Sequence, residues 1–296
     1  MDSTIAAIPV APAKSVSPTW QRFRDAFRRH PTALIGGALL VAMIAMALAA
    51  PWLGTIDPQA VSPIRRLKSP SAAFWFGTDM LGRDVYSRVL YGARVSLVVG
   101  LAVALLSTLF GLTIGLVTGY LRWLDAVVMR IMDGLMSIPS VLLAIALMAL
   151  TKASMGNVIA AITLAEVPRV VRLVRSLVLV LREQPYVEAA IASGTTLPLI
   201  LARHILPNIV APLLVQATYV CGSAMITEAI LSFIGAGTPP NIPSWGNIMA
   251  EGRSVIQIAS YLILFPGICL SLTVLAVNLL GDGMRDALDP RLARRM

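Results

Sequence analysis

Charge is scarce in this chain. Asp, Glu, Lys and Arg make up 13% of its 296 residues, against about 25% in a soluble domain. Lysine is scarce among the cationic residues, with Lys14, Lys68 and Lys152 against 21 arginines, and none of the three follows a glycine. That excludes a phosphate-cradling loop of the Gly-Lys-Ser/Thr kind, and with it ATP hydrolysis by that route. Cysteine and histidine are nearly absent. Cys221 and Cys269 both fall inside apolar runs and read as small core residues, not a disulfide. His30 and His204 stand alone, no HExxH or CxxC occurs, and no metal site is expected. What fills the chain is apolar: 57% hydrophobic residues and a mean hydropathy of +0.80. That composition belongs to an integral membrane protein, with room for several spans of about 20 residues but none for a large soluble catalytic domain. The net charge of +9 is then read as topological rather than as a nucleic-acid footprint.

Residues 1–20, rich in Ala, Pro and Ser, are expected to be disordered. Trp20–Arg29, WQRFRDAFRR, is expected to lie along the inner membrane surface. Thr32–Leu53 is read as an uncleaved first span, although Ala47-Leu48-Ala49 has the form of a leader cleavage site. A polar connection punctuated by Pro51, Pro58, Pro63 and Pro70 closes with FGTDMLGRDVYSRVLYGARVSL (76–97). There a turn at Gly77–Gly82 and a short amphipathic surface helix are expected. Further spans are expected at 95–120, 126–150, 156–174, 208–235 and 259–281.

Gly111, Gly115 and Gly119 recur every fourth residue, which puts them on one helix face for a close approach to another helix of this chain or of a partner. Pro139 is expected to kink the third span. Arg169, Arg172 and Arg175 read as solvated or lipid-phosphate-bound residues where the fourth span leaves the bilayer. Glu228 lies well inside a span, so it is expected to face the bundle, satisfied by Thr227 or Ser232, as a candidate polar residue of a translocation path. With six spans and both termini inside, sixteen basic residues fall on the inner side and eight on the outer, the direction of bias seen in membrane proteins. The six in the first outer loop run against it.

Between the fourth and fifth spans lies Glu183–Pro207, EQPYVEAAIASGTTLPLILARHILP, a polar interruption among apolar runs. Glu188, Ala189 and Ala190 open a helix that Gly194 ends. Thr195 and Thr196 cap a second helix with Pro198 in its first turn, and Pro207 marks the end of that helix. The expected product is a compact helical hairpin with small residues where another protein can approach.

The spacing of Glu188-Ala189-Ala190, Gly194 and Leu206-Pro207 resembles the coupling loop of ABC-importer permeases. GTDMLGRDV (77–85), RHILPN (203–208), TEAILSFIGAG (227–237), PSWG (243–246) and NLLGDGMRDALDP (278–290) are similar to blocks of one branch, the C-type permease of oligopeptide, dipeptide and nickel importers. The resemblance covers about 76–290 and implies an all-α integral membrane protein with the type I importer fold, six transmembrane helices and a cytoplasmic coupling helix. It implies a cytoplasmic N-terminal tail (1–31), a first span with its periplasmic loop (32–94), a transporter domain (95–283) holding the coupling loop 183–207, and a cytoplasmic tail (284–296). Glu188, Ala189, Ala190, Gly194, Leu206 and Pro207 would contact the ATPase.

The implied partners are a second, B-type permease subunit, two ATPase subunits that bind ATP and Mg, an extracytoplasmic solute-binding protein and the lipid bilayer. No nucleic acid is implied, and no cofactor on this chain. The chain would be a non-catalytic subunit in the bacterial inner membrane, both termini cytoplasmic, passing di- or oligopeptides, or alternatively nickel or another small solute. Pro198 is unusual in the loop, and His204 stands where the general importer loop favours isoleucine, though the peptide branch often has histidine there. The pair Pro239-Pro240 sits one place earlier than usual, which bears on substrate and docking, not on class. An ion-coupled secondary transporter would need several intramembrane acids or two matching repeats, and neither is evident. A membrane-embedded enzyme would need a nucleophile–base pair or a metal motif, also not evident.

Overall fold

Apolar runs make helices long enough to cross a bilayer even with a proline inside, as at Pro168, Pro212 and Pro266. The computed structural model describes residues 31–288. The stretch 1–20, the amphipathic Trp20–Arg29 and the end of the tail lie outside the described residues. The helices run α1 (Pro31–Ala49), α2 (Val85–Tyr120), α3 (Arg122–Met136), α4 (Ser140–Ala149), α5 (Met155–Leu181), α6 (Pro185–Ala192), α7 (Leu197–Ile200), α8 (Leu206–Phe233), α9 (Trp245–Gly252) and α10 (Tyr261–Leu288). Among the described residues the strand-like pairing is one isolated bridge, Thr78 to Asp84, so the all-α class holds.

Four stretches are long and apolar enough to cross a membrane: 31–52, 85–120, 197–233 and 261–287. Helices α3 and α4 make a fifth if taken together as one broken span. The expected fourth span, α5, has the length but carries Glu166, Arg169, Arg172 and Arg175. Length and composition therefore support four or five crossings rather than the six expected.

Other boundaries differ for identifiable reasons. Helix α2 starts at Val85 because Asp84 caps it, accepting from the Ser87 N–H at 2.8 Å. No breaker follows before Leu97, so the expected separate surface helix is simply the first turns of α2. Pro139 does more than kink its span. It has no N–H to donate and disfavours helix at Ile138, and α3 and α4 meet there at 89°. Pro207 does not end a helix either. Residues Leu201–Ile205 form a π turn in which the Leu206 N–H reaches the Leu201 carbonyl, and Pro207 sits in the first turn of α8. Proline needs no partner there, so the chain stays helical from Leu197 to Phe233.

Packing follows the small residues. A Cβ on Gly111, Gly115 or Gly119 would stand 2.4, 2.7 or 2.6 Å from the nearest atom of Val170, Val174 or Val178 respectively. The constant offset along the two helices shows that α2 and α5 run parallel, with three valines seated over three glycines within this chain. A second set of close contacts joins α1 to α10, where Gly36 meets Leu280 and Gly283 meets Ala33, and α8 to α10, where Gly281 meets Thr218. Two layers result, α2–α5 and α1–α8–α10. They meet where Gly100 of α2 lies against Met225 and the Cys221 carbonyl of α8. Cys221 is buried and Cys269 partly so, both unbridged.

Candidate functional site

The bundle has two unlike ends. At one, here the hairpin end, α5 hands over to α6, a turn and α7. Helix α6 finishes in a Schellman motif: Gly194 N–H to Ile191 O at 2.9 Å and Thr195 N–H to Ala190 O at 3.0 Å. Gly194 sits at φ +77° with nothing within 4 Å of a would-be Cβ. The demand for glycine is thus set by its backbone, not by a neighbour. Thr196 occupies the N-cap position of α7, yet its side chain makes no capping bond.

The hairpin is held from below by Val187, Ile200 and Ile205, all buried. Its other side is open. Glu188, Ala189, Gly194 and Pro207 are exposed, Ala190 and Leu206 half-buried, and Tyr186, Ile191 and Leu199 are each more than 40% exposed. Glu188 lies in the first turn of α6, where the helix dipole favours its charge. Glu188, Ala189, Ala190 and Gly194 thus lie on α6 and its turn, Leu206 and Pro207 at the start of α8, and exposed apolar side chains stand beside them.

Arginines beside the hairpin are not simply solvated, as the sequence suggested. Arg175 makes a two-pronged pair with Asp125 of α3, its Nη2 arm at 2.6 Å, and Arg172 pairs with Asp133 at 2.5 Å. Asp125 and Asp133 are eight residues apart and so share a face of α3; that spacing was the available signal. Arg169 pairs with Glu166 at 2.9 Å, and Glu166 is buried.

At the opposite, loop end, a buried ion cluster went unread in the sequence. Asp79 lies between Arg83 (2.6 Å) and Arg88 (2.5 Å), and Glu251 of α9 accepts from both arginines at 2.5–2.9 Å. Asp79 is fully buried and Arg88 is 1% exposed. Two of the six basic residues that ran against the charge bias are thus neutralised by internal partners. A fixed turn presents Asp79: Gly77 and Gly82 have positive φ, and a Cβ on Gly82 would lie 1.9 Å from the Ser62 carbonyl oxygen.

Glu228 is also at this end, fully buried near the end of α8. Its Oε1 accepts from Ser232 Oγ at 2.9 Å and Thr238 Oγ1 at 3.4 Å, while Oε2 has no partner among the described residues. Of the two expected alternatives Ser232 is the partner, and Thr238 adds a second donor. Thr238, Ser232 and Asn247 also line a cavity of about 290 Å³ with Glu251 and Arg253. Among the described residues no group of three or more His, Cys, Asp or Glu side chains converges as a metal site.

Residues 107–294 match the family described as the binding-protein-dependent transport system inner membrane component. The chain belongs to that family. A second match, the N-terminal transmembrane domain of oligopeptide transport permease C, covers residues 18–70 and supports the C-type branch. The chain is 56% identical over 268 residues to a probable peptide ABC transporter permease of Sinorhizobium fredii, covering 90% of this chain and 92% of that one. It is 42% identical over 279 residues to a dipeptide transport system permease of Alkalihalophilus pseudofirmus (94% and 91% covered). It is also 42% identical over 290 residues to a glutathione transport system permease of Pectobacterium atrosepticum (97% and 96% covered). This family member is therefore a permease component of an ABC transporter, in a family of the inner membrane.

Proposed function

We propose that this permease forms, with a B-type partner subunit, the path by which an ATP-driven importer moves di- or oligopeptides into the cell. The observation that carries the reading is the near full-length similarity to permeases named for peptide, dipeptide and glutathione transport. The hairpin geometry supports the assignment of its ends. Residues 183–207 face the cytoplasm and dock on one of two ATPase subunits, through the exposed surface around Glu188, Ala189, Ala190, Gly194, Leu206 and Pro207. The loop end then faces the extracytoplasmic binding protein, both termini are cytoplasmic, and α5 counts as a crossing although its charges exclude it by composition. ATP and Mg belong to the ATPases, and this chain carries no catalysis. A second reading, in which nickel is the cargo, has no comparable observation behind it.

The test is uptake by the complete complex in proteoliposomes, with labelled dipeptide and the binding protein outside and ATP inside. Peptide accumulation that needs ATP supports the reading. Accumulation of nickel but not peptide, or uptake driven by an ion gradient without ATP, overturns it.

A further inference from the structure

The hairpin is strung between two helices that belong to different layers. Helix α5 is fastened to α2 by the glycine–valine seam, to α3 by the pairs Arg172–Asp133 and Arg175–Asp125, and at its end by Arg182, whose Nη1 donates to the Gly119 carbonyl at 3.2 Å. Helix α8 is fastened to α10, through Gly281 against Thr218 and through a hydrogen bond from Tyr219 to Asp282. Helix α8 also touches α2 where Gly100 meets Met225, so a displacement of the hairpin that its two arms do not share equally changes the relation between α5 and α8. Among the described residues one side-chain hydrogen bond joins these two helices: Ser223 Oγ of α8 donates to Glu166 Oε1 at 3.1 Å.

Glu166 is built to hold that position. It is 1% exposed, and its other oxygen is occupied by Arg169 at 2.9 Å. The register of the seam, extended one turn from Gly111 and Val170, places Ser107 of α2 at the level of Glu166. Ser107 is fully buried and its Oγ has no partner among the described residues; the hydroxyl of Thr163, one turn before Glu166, is likewise unpartnered. Two helices thus meet at a carboxylate with both oxygens engaged, and α2 brings an unpartnered hydroxyl to its level. A carboxylate in such surroundings is retained at a cost, which a purely space-filling position would not require.

We infer that Glu166 is a positioning residue for transport: with Ser223 it braces α5 against α8, so that force received by the hairpin moves the two layers together instead of being lost in a splaying of its two arms. The inference rests on the reading of residues 183–207 as the ATPase-docking element.

The test uses the complete complex in proteoliposomes and reads peptide imported per ATP hydrolysed, a ratio that a change in protein amount does not move. Ser223→Ala removes the brace and leaves the Glu166–Arg169 pair. It is expected to lower the ratio about threefold or more, the worth of one interhelical hydrogen bond in a membrane. Glu166→Ala on the Ser223→Ala background is expected to add little further uncoupling, because the bond is already gone. Glu166→Gln keeps an oxygen for Ser223 and is expected to stay close to the unmodified ratio. An unchanged ratio in Ser223→Ala overturns the inference, as does an equal loss in Glu166→Gln, which would make the Arg169 pair the relevant contact. If the unmodified complex hydrolyses ATP and imports no peptide, it is the proposed function that fails, and the brace fails with it.

Discussion

At the loop end, Asp79, Arg83, Arg88 and Glu251 close a charge-neutral cluster, and Trp245 is buried with its indole N–H on the Val89 carbonyl at 3.0 Å. Tyr261 lies across the connection, its hydroxyl within 3.1 Å of the Lys68 and Thr78 carbonyls. At the hairpin end, Tyr186, Ile191 and Leu199 stand open and only Val187, Ile200 and Ile205 are tied down. The loop end pairs its buried charges Asp79, Arg83 and Arg88 within the chain, although it too exposes apolar side chains, Ile64 at 90% and Trp52 at 82% among them. The other leaves apolar surface and a charged residue for something else to cover. The difference between the ends therefore lies in the buried ion cluster, which gives the loop end internal partners that the hairpin lacks, while exposed apolar surface is common to both.

Substitutions break this contrast in a graded way. The largest expected effect on the fold is at Arg88. Arg88→Ala leaves Asp79 buried beside Arg83 alone, and removing one partner of a buried ion pair costs about 3–5 kcal/mol. A fall in yield and in the melting temperature of the detergent-purified chain is expected. Arg66→Ala, at an exposed position of the same loop, should change neither. Equal behaviour of the two variants would show that the cluster does not hold the loop end together.

Next comes the seam. Gly115→Leu forces a side chain against Val174, where even a Cβ stands at 2.7 Å, an overpacking worth about 1–3 kcal/mol. Gly111→Leu is expected to behave alike at Val170, and the pair together to lower the yield of assembled complex. Normal melting and assembly of the double variant would mean that the helices separate freely there.

At the hairpin, Gly194→Val meets no neighbour, only its own backbone at φ +77°, a strain of about 1–2 kcal/mol. The melting point should fall slightly while ATP-driven uptake is abolished and the ATPase subunits no longer co-purify. Full uptake would remove the turn from the docking surface.

How far the sequence could be read depended on whether the cause of a feature is local. The apolar runs, the glycine row, the Gly194 turn and the order of the motifs are all written in short spacings, and the all-α class and the family follow from them. The charge cluster joins residues 79 and 251, and no spacing announces a pairing that distant. Arg88 was counted as a loop charge because nothing in VYSRVL marks its partner. Pro207 misled for a related reason: proline in an apolar run signals an end, unless the preceding turn widens to a π turn, which only the three-dimensional chain shows. Arg172 and Arg175 were legible in principle, since Asp125 and Asp133 share a helix face, but they were weighed against solvent instead of against α3.

The smallest expected effect on the fold sharpens the comparison most. Glu188 is exposed and belongs to the first turn of α6. It makes no ion pair among those found in the described residues. Glu188→Arg exchanges a charge that the helix dipole favours for one it opposes, a change of under about 1 kcal/mol at an exposed site. The isolated subunit should therefore melt within a degree or two of the unmodified one, by the usual relation between stability and melting temperature for a chain of this size. If the surface around Glu188 meets a basic patch on the ATPase, the same substitution places like charges in contact, and such repulsion costs several kcal/mol at an interface. Uptake and ATPase retention should then be lost although the fold is intact, and raising the salt concentration should restore part of the retention, since screening weakens exposed repulsion. Retention that stays intact in Glu188→Arg at low salt would show that this charge faces water in the complex, and the docking surface would shrink to the apolar residues Tyr186, Ile191 and Leu199.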